Sequence, residues 1–153
     1  MKSLLPVLIF VGVVTALSEY YIPPLKANWF KAREICNSFD MTFMSIATQN
    51  DHDRLVDFVK KTGKYSKKRR LWIGGSDLAE NGTFSWASTG RMFTFNRWAS
   101  GHPNHANETE NCVEMIYWPS LRWEWTWKNS NCVENKFYFV CKSNHLSCID
   151  QFR

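Results

Sequence analysis

The 153 residues predict a single α+β domain, on three observations. Two stretches in the first half carry apolar residues at helical spacing behind capping residues. From Leu71 onward, short apolar or aromatic runs alternate with Gly, Asn, Ser and Pro clusters. Five cysteines accompany 44% hydrophobic and 16% aromatic residues. Helices first and strands afterwards is the order of an α+β chain. The apolar content is too high for disorder, and the length supports one compact domain. Ordinary glycine (7) and proline (5) counts, with no internal repeat, exclude fibrous and solenoid architectures.

Residues 1–17 read as a secretory signal peptide: Lys2 precedes an apolar stretch from Leu4 to Leu17, with small residues at Thr15, Ala16 and Ser18. The stretch carries Pro6 and Gly12 and falls short of the roughly 20 apolar residues of a membrane span. Its removal with Lys2 takes the formal charge from +5 to +4. A domain over residues 19–143 and a short tail over 144–153 follow. Asn28 caps a first helix whose apolar positions Trp29, Ala32, Ile35, Cys36 and Phe39 share one face. Thr48 with Asp51 makes a capping box for a second helix. Leu55, Phe58 and Val59 form its buried stripe and Gly63 stops it. Strand-like runs then span Leu71 to Ile73, Phe84 to Trp86, Cys112 to Trp118, Leu121 to Trp127 and Phe137 to Cys141. His52 and His145 read as surface residues.

In a secreted chain, Cys36, Cys112, Cys132, Cys141 and Cys148 are expected to be mostly bridged. No pair has zinc-finger spacing. Four cysteines pair in three ways, and the fifth is left as a free thiol or an intermolecular partner.

From about Tyr20 to Lys142 the chain resembles the C-type lectin domain family. The likeness rests on Asn28-Trp29-Phe30-Lys31-Ala32 leading to Cys36, then Leu71-Trp72-Ile73-Gly74-Gly75, Trp86 and Asn96-Arg97-Trp98. It continues with Gly101-His102-Pro103-Asn104 and Cys112-Val113-Glu114-Met115, and ends with Trp127 before Cys132 and Phe139-Val140-Cys141. Its brevity is similar to that of short secreted insect lectins. The resemblance implies two helices with short antiparallel sheets and a long disulfide-braced loop region. It also implies the bridges Cys36–Cys141 and Cys112–Cys132, leaving Cys148 unpaired and available for a disulfide-linked homodimer or a partner protein.

The resemblance further implies a calcium site that accepts two sugar hydroxyls among about six to eight oxygen ligands. The positions of the family's ligands are occupied here by His102, Asn104, Glu110, Lys128 and Asn129. Asn104, Glu110 and Asn129 keep oxygens, so the calcium site is weakened or lost: His102 offers a nitrogen and Lys128 an ammonium. At the auxiliary site Asp77 and Glu110 match, while Asn81, His105 and Asn111 stand where carboxylates are favoured. A second reading of the loop is a transition-metal site from His102, His105, Glu108 and Glu110.

Asn81 and Asn107 open acceptor sequons for N-glycosylation, the second inside the ligand loop. Lys60, Lys61, Lys64, Lys67, Lys68, Arg69 and Arg70 place seven positive charges in eleven residues, a candidate polyanion-binding segment, a solvated loop or a basic protease site. Trp123, Trp125 and Trp127 at period two share one strand face, either core or, at one position, a platform for a sugar ring. No nucleophile elbow, HExxH or phosphate-cradling loop is present, so no enzyme is expected, and a secreted chain of modest charge is not a nucleic-acid binder. The sequence therefore predicts a secreted carbohydrate-binding lectin with weakened or lost calcium dependence. The alternative is a protein-interaction module that keeps the fold without the sugar chemistry.

Overall fold

In the computed structural model, which describes residues 19–63, 68–104 and 108–144, both helices begin at their capping residues. Asn28 takes extended backbone angles and its side chain accepts the Lys31 N–H at 2.9 Å, opening α1 (Trp29–Ser38). Thr48 and Asp51 satisfy each other's backbone N–H groups ahead of α2 (Gln49–Lys61). Such a cap contributes about 1 kcal/mol. The α1 helix buries Trp29, Ala32 and Cys36. The sequence reading puts Phe39 on the same face, but the helix has ended there, and Phe39 stays 49% exposed, its ring edge-on to Tyr21.

Burial along α2 corrects the reading of His52. The helix buries Leu55, Val56 and Val59, and His52 with them at 3% exposure. Three residues before Leu55 and seven before Val59, it lies on the apolar stripe that the helix turns inward. The leader, His145 and Cys148 lie outside the described residues. Among the described residues no helix is long and apolar enough to cross a membrane.

The strands form two sheets. In the smaller, β1 (Tyr20–Tyr21), β8 (Cys141–Ser143) and β2 (Met41–Phe43) pair antiparallel with β8 in the middle, so the first and last strands of the domain lie side by side. The larger runs β4 (Ser85–Trp86), β3 (Arg69–Ser76), β5 (Cys112–Trp118) and β6 (Trp123–Ser130), with β7 (Tyr138–Phe139) parallel to β3. Disulfides join Cys36 to Cys141 and Cys112 to Cys132. The apolar run of β5 is nearly continuous because both faces of this sheet are covered. On one face Leu71, Ile73, Val113, Met115 and Trp127 join Leu55 and Val59; on the other Trp72, Cys112 and Phe139 join Trp29, Cys36 and Phe43.

Gly74 and Gly75 sit inside β3 where two layers approach. A Cβ on Gly75 would lie 2.4 Å from the Phe93 ring, and one on Gly74 would lie 3.0 Å from the Met44 carbonyl oxygen. Gly75→Ala is therefore expected to destabilise the domain by about 1–3 kcal/mol through overpacking, read as a lowered urea midpoint. An unchanged midpoint would show that Phe93 moves aside freely.

The three tryptophans of β6 do not share one face. Trp125 takes φ 56°, and the pairing with β5 shifts register between Ile116 and Trp118, so β6 carries one extra residue. Trp125 and Trp127 fall in the core beside α2, whereas Trp123 pairs with Trp118 and remains half-buried. A tryptophan in the left-handed region costs on the order of 1–3 kcal/mol, which the packing of Trp125 on Tyr117 at 5.0 Å helps to offset.

Candidate functional site

The free edge of β6 carries the loop that positions the site. Trp127 donates its N–H to the Arg97 carbonyl at 2.7 Å and accepts the Ala99 N–H at 2.8 Å, adding Arg97 to Ala99 alongside the strand. Phe93, Phe95 and Trp98 pack round the Trp127 ring and hold this segment down. His102 donates its backbone N–H to the Ala99 carbonyl and precedes Pro103 through a cis peptide bond, and Asn104 lies against Asn129 of β6.

Asn129, 1% exposed, is the hub of the loop. Its Oδ1 accepts the Asn104 N–H at 3.0 Å and lies 3.0 Å from His102 Nδ1. Its Nδ2 donates to the carbonyl oxygens of Asn104 and Glu110. All of the amide's polar atoms are thus engaged within the protein. An acceptor facing Nδ1 holds the His102 ring as the Nδ1–H tautomer, leaving Nε2 as its acceptor. The Trp123 ring stands edge-on to that imidazole, centroids 5.6 Å apart. The Asn104 Oδ1 is buried and has no hydrogen-bond partner among the described residues.

Of the five sequence-predicted ligand positions, His102, Asn104, Glu110 and Asn129 come together and Lys128 does not. Successive residues of a strand face opposite sides. Lys128 stands opposite Glu114 in register, and its charge acts on the Lys68 ammonium. At the auxiliary position Asp77 is 2% exposed and accepts one hydrogen bond at each oxygen, from the Gly82 N–H at 2.9 Å and from Asn111 Nδ2 at 3.0 Å. It braces the loop from within. Asn81 is exposed in the turn beside it, and Glu108 is exposed. His105 and Asn107 lie outside the described residues.

The donor set does not fit calcium. Of the predicted ligand set, Asn104 Oδ1 and the Glu110 carboxylate are the oxygens without a hydrogen-bond partner among the described residues, where calcium takes about six to eight. Asn129 Oδ1 is already occupied by donors that a cation would have to displace. Nor do three His, Cys, Asp or Glu side chains converge to hold a metal among the described residues. Without a cation the same loop is an array of hydrogen-bond acceptors beside a half-exposed indole, suited to a ligand that brings hydroxyl donors. The β6 bulge sets Trp123 apart from Trp125 and Trp127, a separation that the period-two spacing does not show.

The residues of the basic segment differ in their surroundings. Lys60 and Lys61 are exposed at the end of α2, and Lys68 lies 3.2 Å over the Trp118 ring. Burial first, and then the neighbouring Arg70 charge, push the Lys68 ammonium below its ordinary range. Arg69 sits 5.7 Å from the Tyr138 ring centroid. Arg70 is not available to a polyanion: its guanidinium grips the fully buried Glu114 carboxylate through two bonds of 2.6 Å and covers the Phe137 ring at 3.9 Å. Lys64 and Lys67 lie outside the described residues.

These landmarks agree with known proteins. The Lectin C-type domain family model matches residues 25–143. The C-type lectin mosGCTL-7 of Aedes aegypti is 45% identical over 145 residues, covering 95% of each chain. Salivary C-type lectin 1 of Aedes albopictus is 31% identical over 126 residues, covering 82% of each. Among solved structures, human lithostathine superposes with a TM-score of 0.69 at 27% identity, covering 84% of this chain and 86% of its own. Lectin CEL-I of Cucumaria echinata shares the fold with a TM-score of 0.70 at 20% identity, covering 83% and 91%. With two capped helices, two disulfides and a looped antiparallel sheet, the chain belongs to the C-type lectin domain family, whose members are binding proteins and not enzymes.

Proposed function

We propose that this protein is a secreted lectin that binds glycans by direct hydrogen bonding and aromatic contact at the His102–Asn104 loop, without calcium. The observation that carries the reading is the occupancy of Asn129: the amide expected to face a cation instead ties His102, Asn104 and Glu110 together. His102 Nε2 and the Glu110 carboxylate are left to accept sugar hydroxyls, the half-buried Trp123 indole offers an apolar face, and the buried Asn104 Oδ1 joins them only when the loop shifts to uncover it. A few neutral hydrogen bonds of about 1 kcal/mol each give weak single-site affinity, which a covalent dimer through Cys148 would raise by effective concentration. Secretion is supported by the apolar leader at residues 1–17 and by two disulfides, which persist in oxidising compartments. The exposed Lys60, Lys61 and Lys68 support added attraction for anionic glycans, and Asn81 stands in an exposed sequon.

A glycan array probed with the full chain, with and without chelator, tests the proposal. Retention is expected to change less than about twofold on chelation, and Trp123→Ala to weaken it about five- to tenfold. His102→Glu frees Asn129 Oδ1 of one partner and is expected to raise calcium affinity, whereas Lys128→Asn alone leaves it unchanged. A submillimolar calcium dissociation constant for the wild type, measured by calorimetry, would overturn the calcium-free reading. Failure to retain any glycan in either condition would favour the protein-interaction alternative.

A further inference from the structure

The segment after β1, the last turn of α2 and strands β3 and β7 enclose a groove of about 520 Å³. That volume lies within the roughly 300–1,000 Å³ of sites that enclose small organic ligands. Its walls are apolar over most of their length: Ile22, Pro23, Phe58, Val59 and Leu71 line it. The polar part of the lining is Tyr21, Thr62, Arg69 and Tyr138, and the Tyr138 ring is approached by Arg69 at 5.7 Å and, from outside the lining, by Lys26 at 5.4 Å. Neither cation pairs with a carboxylate among the described residues, and no Asp or Glu lines the groove.

A groove that is mostly apolar and carries a cation without a carboxylate partner in its lining matches a ligand with an apolar tail and a single anionic head. We propose that this groove binds a long-chain fatty acid. The acyl chain lies along Ile22, Phe58, Val59 and Leu71, and the carboxylate sits at Arg69 and Lys26. Charge decides the choice of ligand. A neutral lipid leaves both cations without a counterion, and an alkylammonium of the same length meets them as like charges. Each methylene buried adds a favourable transfer free energy, so affinity rises with chain length until the groove is filled. The guanidinium adds a planar, bidentate grip on the carboxylate. The groove shares no lining residue with the proposed sugar loop.

Titration calorimetry with laurate, myristate and palmitate below their micellar concentrations, against the full chain, provides the test. Saturable one-to-one binding is expected to tighten along that series by up to roughly tenfold per pair of methylenes. Arg69→Ala is expected to weaken palmitate about tenfold or more. Ile22→Trp fills the groove and is expected to abolish binding. The unfolding midpoint of each variant, together with its glycan retention, reports whether the domain is intact. Equal binding of palmitate and a sixteen-carbon trimethylammonium would overturn the proposal. So would absence of saturable binding, palmitate affinity indifferent to both variants, or attachment to anionic vesicles without binding of the free acid.

Discussion

Replacing Arg70 with alanine is expected to cost the domain about 3–5 kcal/mol, the loss typical when one partner of a buried ion pair is removed and its counterion is stranded. Glu114 is fully buried in the middle of β5. Arg70 bonds both of its oxygens, and the Ser130 hydroxyl donates to one of them. Without the guanidinium, that single hydroxyl remains to solvate a carboxylate in the core that Trp72 and Phe137 help to form. At roughly 2–4 °C per kcal/mol for a domain of this size, the melting point falls by about 10 °C. Arg70→Ala combined with Glu114→Leu removes the stranded charge and is expected to restore most of the loss, a non-additivity that identifies the cause. The neighbouring Arg69→Ala, which breaks no ion pair among the described residues, is expected to change stability by less than about 1 kcal/mol. Similar melting points for the Arg69 and Arg70 variants would refute the buried-pair account.

The contrast between two adjacent arginines marks where the sequence stops being legible. Caps are local, so Asn28, Thr48 and Asp51 announce both helices from their own spacing. The cysteine and tryptophan landmarks recur at intervals that point to the fold. What decides the fate of Arg70 is a strand 44 residues away, and nothing in the run of basic residues separates it from Arg69. Asn129 is similar: its residue type reads as a ligand, but the two N–H groups and two carbonyls that saturate it come from a loop folded back over β6. The Trp125 bulge has no local signature, since its left-handed backbone is imposed by packing. His52 alone was within reach, because its spacing from Leu55 and Val59 marks the buried stripe.

His52 carries the second large effect, a loss of stability in mild acid. Burial, and secondarily the Arg97 charge, push its pKa down to about 4, and Asp53 opposes this only in part. The ring lies among Phe95 and Trp127, and Nδ1 has no partner among the described residues to welcome a proton. An unfolded histidine titrates near 6.5. Between about pH 6.5 and 4 the unfolded chain therefore binds the proton that the folded chain refuses, and stability falls as pH falls through that window. Above pH 6.5 both states are neutral and the group contributes no pH dependence. The full penalty, reached at about pH 4, is about 3 kcal/mol at 1.36 kcal/mol per unit. His52→Leu removes the titration, so the stability difference between wild type and variant, followed by urea unfolding at a series of pH values, is expected to shift by that amount across the window. Parallel curves would show that the histidine does not titrate with folding. Because His52 packs on Trp127, whose backbone carries the Arg97 to Ala99 segment and through it the His102 loop, protonation is expected to loosen the support of the proposed glycan site. Glycan retention is accordingly expected to fall toward pH 4 in the wild type and to fall less in His52→Leu.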